Sequence, residues 1–221
     1  MPKKPFSPEE VAFQRERIMD SAAAVMAELG FHYLSMRKLA AELGMTASNI
    51  YNYFSSKESL LLNIRRRGYE LLMQQTNRAL MESTDANDSV QRVSAQMIDF
   101  ACSRAGYYQL MFQPPVIKPG IASQEDSDAI MVLERLVEEW QLHVQKLLCD
   151  AIEGLGCAPE AEQRRITLYF LTSIHGLIDS YQHSSMPLLL EGVDLIPQDM
   201  LRSHTSWLVN SLQGQPQLQA S

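Results

Sequence analysis

Residues 35–54, SMRKLAAELGMTASNIYNYF, contain the pattern that decides the fold. Ser35 can cap a short helix over 36–43, because a serine oxygen can accept a hydrogen bond from the first backbone N–H groups of a helix. Gly44 follows that helix and can supply a turn, since a tight helix C-terminus often needs a positive φ. The stretch therefore begins with a short helix and a sharp turn.

A second short helix follows the turn. Thr46 can cap a helix over about 47–53, and a small residue, Ala40, lies where two helices would cross. Ile50 is placed to anchor the second helix in a core. The spacing of Ala40, Gly44 and Ile50, together with the two capping residues, predicts a helix-turn-helix, and the alternative is a generic helical hairpin with a polar face.

The second helix is expected to present a mostly polar face. Its outward residues are predicted to be Ala47, Ser48, Asn49, Asn52 and Tyr53. Asparagine can bond an adenine edge in two places, serine can donate or accept, and an alanine methyl group can contact thymine. Hydroxyls of Tyr51 and Tyr53 can reach phosphates, and Arg37 and Lys57 flank the helices as charges for the DNA backbone. This face suits a DNA major groove.

The run TASNIYNYFSSKESLL, residues 46–61, resembles the signature of the TetR family of bacterial transcription regulators. Tyr-x-Tyr-Phe is followed by Ser-x-Lys-x-x-Leu, and the similarity extends over about residues 10–65. The resemblance implies an all-helical homodimer in which three N-terminal helices bind DNA and a larger C-terminal domain binds a small ligand. With the two capping residues included, the predicted DNA-binding residues are Ser35, Arg37, Thr46, Ala47, Ser48, Asn49, Tyr51, Asn52, Tyr53 and Lys57.

The rest of the chain is also predicted to be helical. Ser7-Pro8-Glu9-Glu10 places an N-cap, a proline and a capping-box glutamate at the start of a first helix. The apolar stripe expected on that helix is Val11, Ile18, Ala22, Val25 and Leu29. The predicted organisation is a helix-turn-helix domain at 7–56, a connecting helix at 57–82, an effector-binding and dimerisation domain at 83–213 and a flexible tail at 214–221.

Charge divides the chain in the same way. Residues 1–82 hold eleven Lys and Arg against nine Asp and Glu, whereas residues 83–221 hold eight against seventeen. The balances of +2 and −9 add to the net charge of −7. An acidic chain with a slightly basic N-terminal part permits nucleic-acid binding by that part alone.

The C-terminal part contains a group of aromatic, methionine and histidine residues that could line an apolar effector pocket. The predicted effector-binding residues are Phe100, Tyr107, Met111, Phe112, Trp140, His143 and His175. Plain core packing is the alternative for each of them. Tyr107–Phe112 and the pair His175-Gly176 also loosely resemble a TetR subgroup named for a Trp-His-Gly pattern.

Other classes of protein find little support. The sequence has no GxSxG, no HExxH and no phosphate-binding glycine loop, so an enzyme is not expected. Cys102, Cys149 and Cys157 form no CxxC pair, and no metal or cofactor is expected. Neither a secretory signal nor an apolar run of about 20 residues is present, which predicts a cytoplasmic protein.

Together with the predicted DNA-binding and effector-binding residues, the resemblance to the TetR family implies a homodimeric repressor that a small, largely apolar effector releases from a pseudo-palindromic operator. The candidate dimer contacts on the last two long helices are Leu168, Ile178, Leu201, Trp207 and Leu208. The alternatives are a regulator of the same fold that is controlled by a protein partner, an activator, or a global DNA binder.

Overall fold

The computed structural model describes residues 7–114, 124–182 and 197–213, and the elements in these ranges are all helical. This confirms the predicted all-α class. The α-helices are α1 (Pro8–Leu29), α2 (Met36–Glu42), α3 (Ala47–Tyr51), α4 (Lys57–Leu80), α5 (Ala86–Ser103), α6 (Ala105–Phe112), α7 (Gln124–Ala151), α8 (Glu160–Gln182) and α9 (Pro197–Gln213). Short 3₁₀ helices lie at Phe31–Tyr33 and Leu155–Cys157. The loops predicted around residues 113–120 and 184–197 fall mostly outside the described residues.

Helix α1 begins as predicted. The Glu10 backbone N–H donates to Ser7 Oγ at 3.1 Å, and the Ser7 N–H donates to the Glu10 carboxylate at 2.7 Å, which completes the capping box. Pro8 occupies the first turn, where its missing N–H needs no partner. Gly30 ends the helix with φ 87°, a value that favours glycine.

The buried face of α1 differs from the expected stripe. Its buried residues are Ile18, Met19, Ala22, Ala23 and Met26. Val11 and Val25 are only half-buried, and Leu29 is 51% exposed. The face is rotated towards Ala23 because α6 packs closely there, and helical periodicity alone does not reveal the position of a partner helix.

The described residues form two compact units. One contains residues up to Leu71 together with Ser103–Leu136, and the other contains Leu72–Cys102 together with the described residues from Val137 onwards. Helix α6 therefore belongs to the same unit as α1, α2 and α3. The domain boundaries predicted from the sequence remain predictions.

In the first unit, α6 lies directly against α1. A Cβ atom built on Gly106 would lie 2.0 Å from the Ala23 carbonyl oxygen, so only glycine fits at this crossing. The Tyr107 hydroxyl donates to Asp20 Oδ1 at 2.7 Å beside the same contact. These contacts fix α6 against the N-terminal helix.

The second unit is a helical bundle joined by polar contacts between neighbouring helices. Gln91 on α5 donates to Ser206 on α9 at 2.8 Å, and the Ser173 hydroxyl on α8 is 2.9 Å from His204 Nε2 on α9. The large fully buried side chains of this unit include Met97, Phe100, Trp140 and Phe170. Among the described helices, none is long and apolar enough to span a membrane.

Candidate functional site

The two short helices of the N-terminal unit are capped by the predicted residues. Ser35 Oγ accepts from the Lys38 N–H at 3.2 Å at the start of α2, and Thr46 Oγ1 accepts from the Asn49 N–H at 3.2 Å at the start of α3. Gly44 lies between them with φ 65°, in the left-handed region. The predicted helix-turn-helix is confirmed.

Helix α3 is held by one buried side chain and exposes most of the others. Ile50 is completely buried, whereas Ser48, Tyr51 and Asn52 are exposed. Ala47 and Asn49 are half-buried on the same short helix. The exposed face thus contains hydroxyl and amide groups, which can bond to base edges and phosphates.

The prediction that Tyr53 points outward is wrong, since Tyr53 is only 7% exposed. Helix α3 ends at Tyr51 rather than Tyr53, and the following turn bends the chain towards the core. The Tyr53 N–H donates to the Ile50 carbonyl at 2.9 Å in that turn, and Phe54 is 1% exposed. Once the helix has ended, helical spacing no longer gives the direction of a side chain.

The positively charged side chains around α3 differ in their exposure to solvent. Arg37 is exposed on α2, and so is its neighbour Lys38, which was not among the predicted residues. Lys57 is half-buried: its ammonium donates to the Leu34 carbonyl at 2.7 Å and lies 4.5 Å from the centroid of the Phe31 ring. Burial lowers the pKa of Lys57, and the adjacent Glu58 opposes this shift. A DNA contact by Lys57 remains a prediction.

Arg15 on α1 is a further functional candidate that sequence reasoning missed. Its guanidinium donates to the backbone carbonyl of Tyr53 and, at 3.2 Å, to the side-chain oxygen of Asn63 on α4. The same group lies 4.4 Å from the centroid of the Phe54 ring. Arg15 therefore joins α1 to the end of α3 and to α4. Its partners are 38 and 48 residues away along the chain, so no local sequence signal identifies them.

The predicted effector residues are divided between the two units. Tyr107, Met111 and Phe112 lie in the first unit, where Tyr107 and Met111 are buried. The Tyr108 and Phe112 rings have centroids 4.6 Å apart, and the Tyr69 hydroxyl donates to the Met111 carbonyl at 3.5 Å. These contacts are those of helix packing.

Phe100, Trp140, His143 and His175 lie in the second unit. Trp140 is 2% exposed, and its ring stacks with that of His143 at a centroid distance of 6.3 Å. Trp140 Nε1 and His143 Nε2 are both buried and have no hydrogen-bond partner among the described residues. Burial lowers the pKa of His143, aided by Lys146, and it lowers that of His175 against the opposing effect of Asp179. Both shifts favour the neutral imidazole.

The outer face of the second unit carries exposed apolar side chains. Leu168 and Tyr169 on α8 are 57% and 51% exposed, and Trp207 on α9 is 62% exposed. A groove of about 270 Å³ between α7 and α8 includes Leu168, and none of the predicted effector residues lines it.

Among the candidate dimer contacts, Ile178 and Leu208 are buried within the unit, so neither can form an outer contact surface. The side chain of Leu201 falls outside the described residues.

The histidines, cysteines and acidic residues form no group of three or more that could hold a metal ion in the described part of the chain. Burial and the neighbouring Asp99 raise the pKa of the Cys102 thiol, which disfavours the reactive thiolate.

Comparison with known proteins agrees with this geometry. Residues 18–64 match the sequence model of bacterial regulatory proteins of the tetR family. The transcriptional activator FasR of Mycolicibacterium smegmatis is 27% identical over 112 residues, which are 50% of this chain and 51% of FasR. The chain therefore spans about half the length of that relative. The transcriptional regulator BetI of Rhizobium meliloti is 24% identical over 92% of this chain and 93% of its own.

Solved structures share the fold over nearly the whole chain. The fatty acid degradation regulator FadR of Bacillus halodurans superposes with a TM-score of 0.68 at 14% identity, covering 96% of this chain and 100% of FadR. AibR, solved with isovaleryl coenzyme A and operator DNA, gives a TM-score of 0.65 at 14% identity, with 89% of this chain and 98% of AibR covered. With its helix-turn-helix, the matched segment at residues 18–64 and the shared fold, this chain is similar to the TetR family of bacterial transcriptional regulators.

Proposed function

We propose that the chain is a homodimeric, sequence-specific repressor that a small, largely apolar effector releases from a palindromic operator in the cytoplasm. The observation that carries this proposal is the geometry of α3. Thr46 caps the helix and Ile50 anchors it, so its polar face stays exposed for a major groove.

Base recognition is assigned to the side chains of α3. Asn49 and Asn52 can each bond an adenine edge, and Ser48 can donate to or accept from a base. Tyr51 and Arg37 are exposed beside them and can contact phosphates, which orient the protein without reading sequence. Tyr53 contributes its backbone to the end of α3, because its side chain is buried.

Dimerisation is assigned to the exposed apolar side chains of α8 and α9, among them Leu168 and Trp207. Large exposed apolar side chains on neighbouring helices are typical of an interaction surface. A two-fold dimer would hold two α3 helices about 34–36 Å apart, one turn of DNA, and this predicts two operator half-sites with that spacing.

The effector is assigned to the second unit, at Trp140 and His143. Two buried ring nitrogens without partners are costly, and a ligand oxygen would satisfy the Trp140 N–H. FadR is described as a regulator of fatty acid degradation, and AibR was solved with an acyl coenzyme A. Both descriptions support an effector that combines an apolar chain with a carbonyl or carboxylate oxygen.

Release from the operator then follows from the thermodynamic linkage between effector binding and DNA binding. If the effector binds better to the conformation with the wrong spacing of the α3 helices, DNA affinity must fall by the same factor by which DNA weakens effector binding. A second candidate, transcriptional activation, is favoured by the description of FasR as an activator. Control by a protein partner and global DNA binding have no specific observation in their favour.

The proposal is tested by selecting from sheared genomic DNA the fragments that the purified protein retains at fixed physiological salt, because phosphate contacts make affinity salt-dependent. Asn49→Ala is the test variant, and Asn77→Ala, at an exposed position on α4, is the matched control. We expect a few fragments with a shared palindrome that Asn49→Ala loses and Asn77→Ala keeps. Retention without sequence preference would contradict specific regulation.

Effector binding is tested by thermal shift with dodecanoate, dodecanoyl coenzyme A and dodecane-1-sulfonate as probes. Trp140→Phe replaces the indole with a smaller aromatic ring that has no N–H, so it should reduce the shift given by any probe that binds at this site. A probe that stabilises the protein must also weaken operator binding if the linkage is correct. Reporter expression with the operator upstream distinguishes repression from activation.

A further inference from the structure

The turn that follows α3 is held by a cation from another helix. Arg15 lies on α1, and its guanidinium donates to the Tyr53 carbonyl, where the chain leaves α3. The Tyr53 carbonyl lies in the turn two residues beyond the end of α3, and a hydrogen bond from a charged donor is stronger than one from a neutral donor. The carbonyl of Tyr53 therefore has a partner whose position α1 determines.

The other contacts of the guanidinium fix its direction. Its second terminal nitrogen donates to Asn63 Oδ1 at 3.2 Å, and Asn63 in turn donates to the Ser59 carbonyl at 2.9 Å within α4. The buried Phe54 ring lies beneath the guanidinium at 4.4 Å. A planar group with several donors can make all these contacts at once, which a lysine ammonium cannot do.

We propose that Arg15 is a positioning residue for α3, which sets the orientation of its DNA-binding face without touching DNA. The inference rests on the proposed role of α3 in reading the operator. The matched control is Arg17, which also lies on α1 but is exposed. Its contact with the backbone carbonyl of Leu43 is long at 3.4 Å.

Three roles for Arg15 differ in what they predict. If Arg15 contacted a phosphate, removing its charge would make the plot of log affinity against log salt less steep by about 0.9, and a lysine at this position would largely preserve the contact. A residue important only for stability would lower the melting temperature and leave the affinity of the folded protein unchanged. A positioning residue would lower specific affinity for both substitutions and leave the salt slope as it was.

The experiment measures binding of the full chain to the palindromic fragment recovered from genomic DNA, and to random DNA, over a series of salt concentrations. For Arg15→Lys and Arg15→Met we expect about tenfold weaker specific binding, the factor that corresponds to loss of one charge-assisted hydrogen bond. Non-specific binding and the salt slope should stay unchanged, and Arg17→Lys should match the parent. A slope reduced by about 0.9 in Arg15→Met, or an unchanged specific affinity, would overturn the proposal.

Hydrogen exchange supplies a second measurement that needs no operator. Arg15→Lys should accelerate exchange of the amides in residues 47–54 by about tenfold, and Arg17→Lys should not. Unchanged exchange in this segment would refute the anchoring of α3, whatever the DNA result. If the parent protein shows no specific DNA binding but Arg15→Lys loosens this segment, the proposed function fails while the anchoring role stands. Arg15→Lys also replaces Arg15→Met if the latter does not fold.

Discussion

Replacing Gly106 with alanine tests the closest helix contact in the first unit. The added Cβ would lie 2.0 Å from the Ala23 carbonyl oxygen, whereas ordinary contacts begin at 3.4 Å, so α6 and α1 would have to separate by about 1.4 Å. Overpacking of this kind costs about 3 kcal/mol, and the helix propensity gained on replacing glycine returns about 1 kcal/mol. We expect a net loss of about 2 kcal/mol.

Thermal unfolding followed by circular dichroism measures this loss. For a chain of this size, about 2 kcal/mol corresponds to a melting temperature lower by about 4–8 °C. Two other glycines provide a graded control. At Gly68 the added atom meets the flexible end of Met111 at 2.6 Å, and at Gly156 the nearest atom is 3.6 Å away. The order of destabilisation should be Gly106, Gly68, Gly156, and a Gly106→Ala protein as stable as the parent would refute the close crossing.

Three further predictions concern titration and assembly. Tyr107→Phe should cost about 1 kcal/mol at pH 7, because it removes the hydrogen bond to the exposed Asp20. Burial and Asp20 raise the pKa of Tyr107, so the free energy of unfolding should fall as the pH rises above about 10, where Tyr107 ionises in the unfolded chain. Denaturant titrations of Tyr107→Phe should show a smaller fall over the same pH range. Burial lowers the pKa of His143, so the unfolded chain binds more protons below about pH 6.5 and stability falls as pH falls; His143→Gln should weaken that acid dependence. Leu168→Asp places a charge on the exposed α8 face and should yield monomers in sedimentation; a persistent dimer would contradict the assigned interface.

Local interactions explain what could be predicted from the sequence. Ser7, Ser35 and Thr46 each cap a helix through a backbone N–H only three residues away. Such contacts depend on residue type and spacing, so the starts of α1, α2 and α3 could be predicted without the fold. The polar face of α3 follows from the same spacing, once Ile50 is taken as the buried anchor.

Contacts between distant segments explain what could not be predicted. Tyr53 is buried because α3 ends two residues early and the next turn enters the core. An arginine in the middle of α1 is expected to be exposed to solvent, yet the partners of Arg15 lie on the turn after α3 and on α4. Gly106 resembles a residue that weakens a helix, and its role depends on the Ala23 backbone opposite it. For none of these three residues does the sequence of the surrounding helix indicate which distant segment it contacts.

Both distant contacts meet on α1, and this makes their energetic coupling testable. Arg15 holds the end of α3, and Ala23 receives α6; eight residues separate them, about 12 Å along one helix. Sites at this distance usually contribute additively to free energies. If α1 moves as a rigid body, a displacement of α6 at Ala23 also shifts the anchor of α3, and additivity should fail. Operator affinity of Arg15→Lys, Gly106→Ala and the double variant should then give a coupling energy above about 0.5 kcal/mol. Additive losses would mean that α1 bends or rotates between the two contacts, and that α6 does not act on the DNA-binding face through this helix.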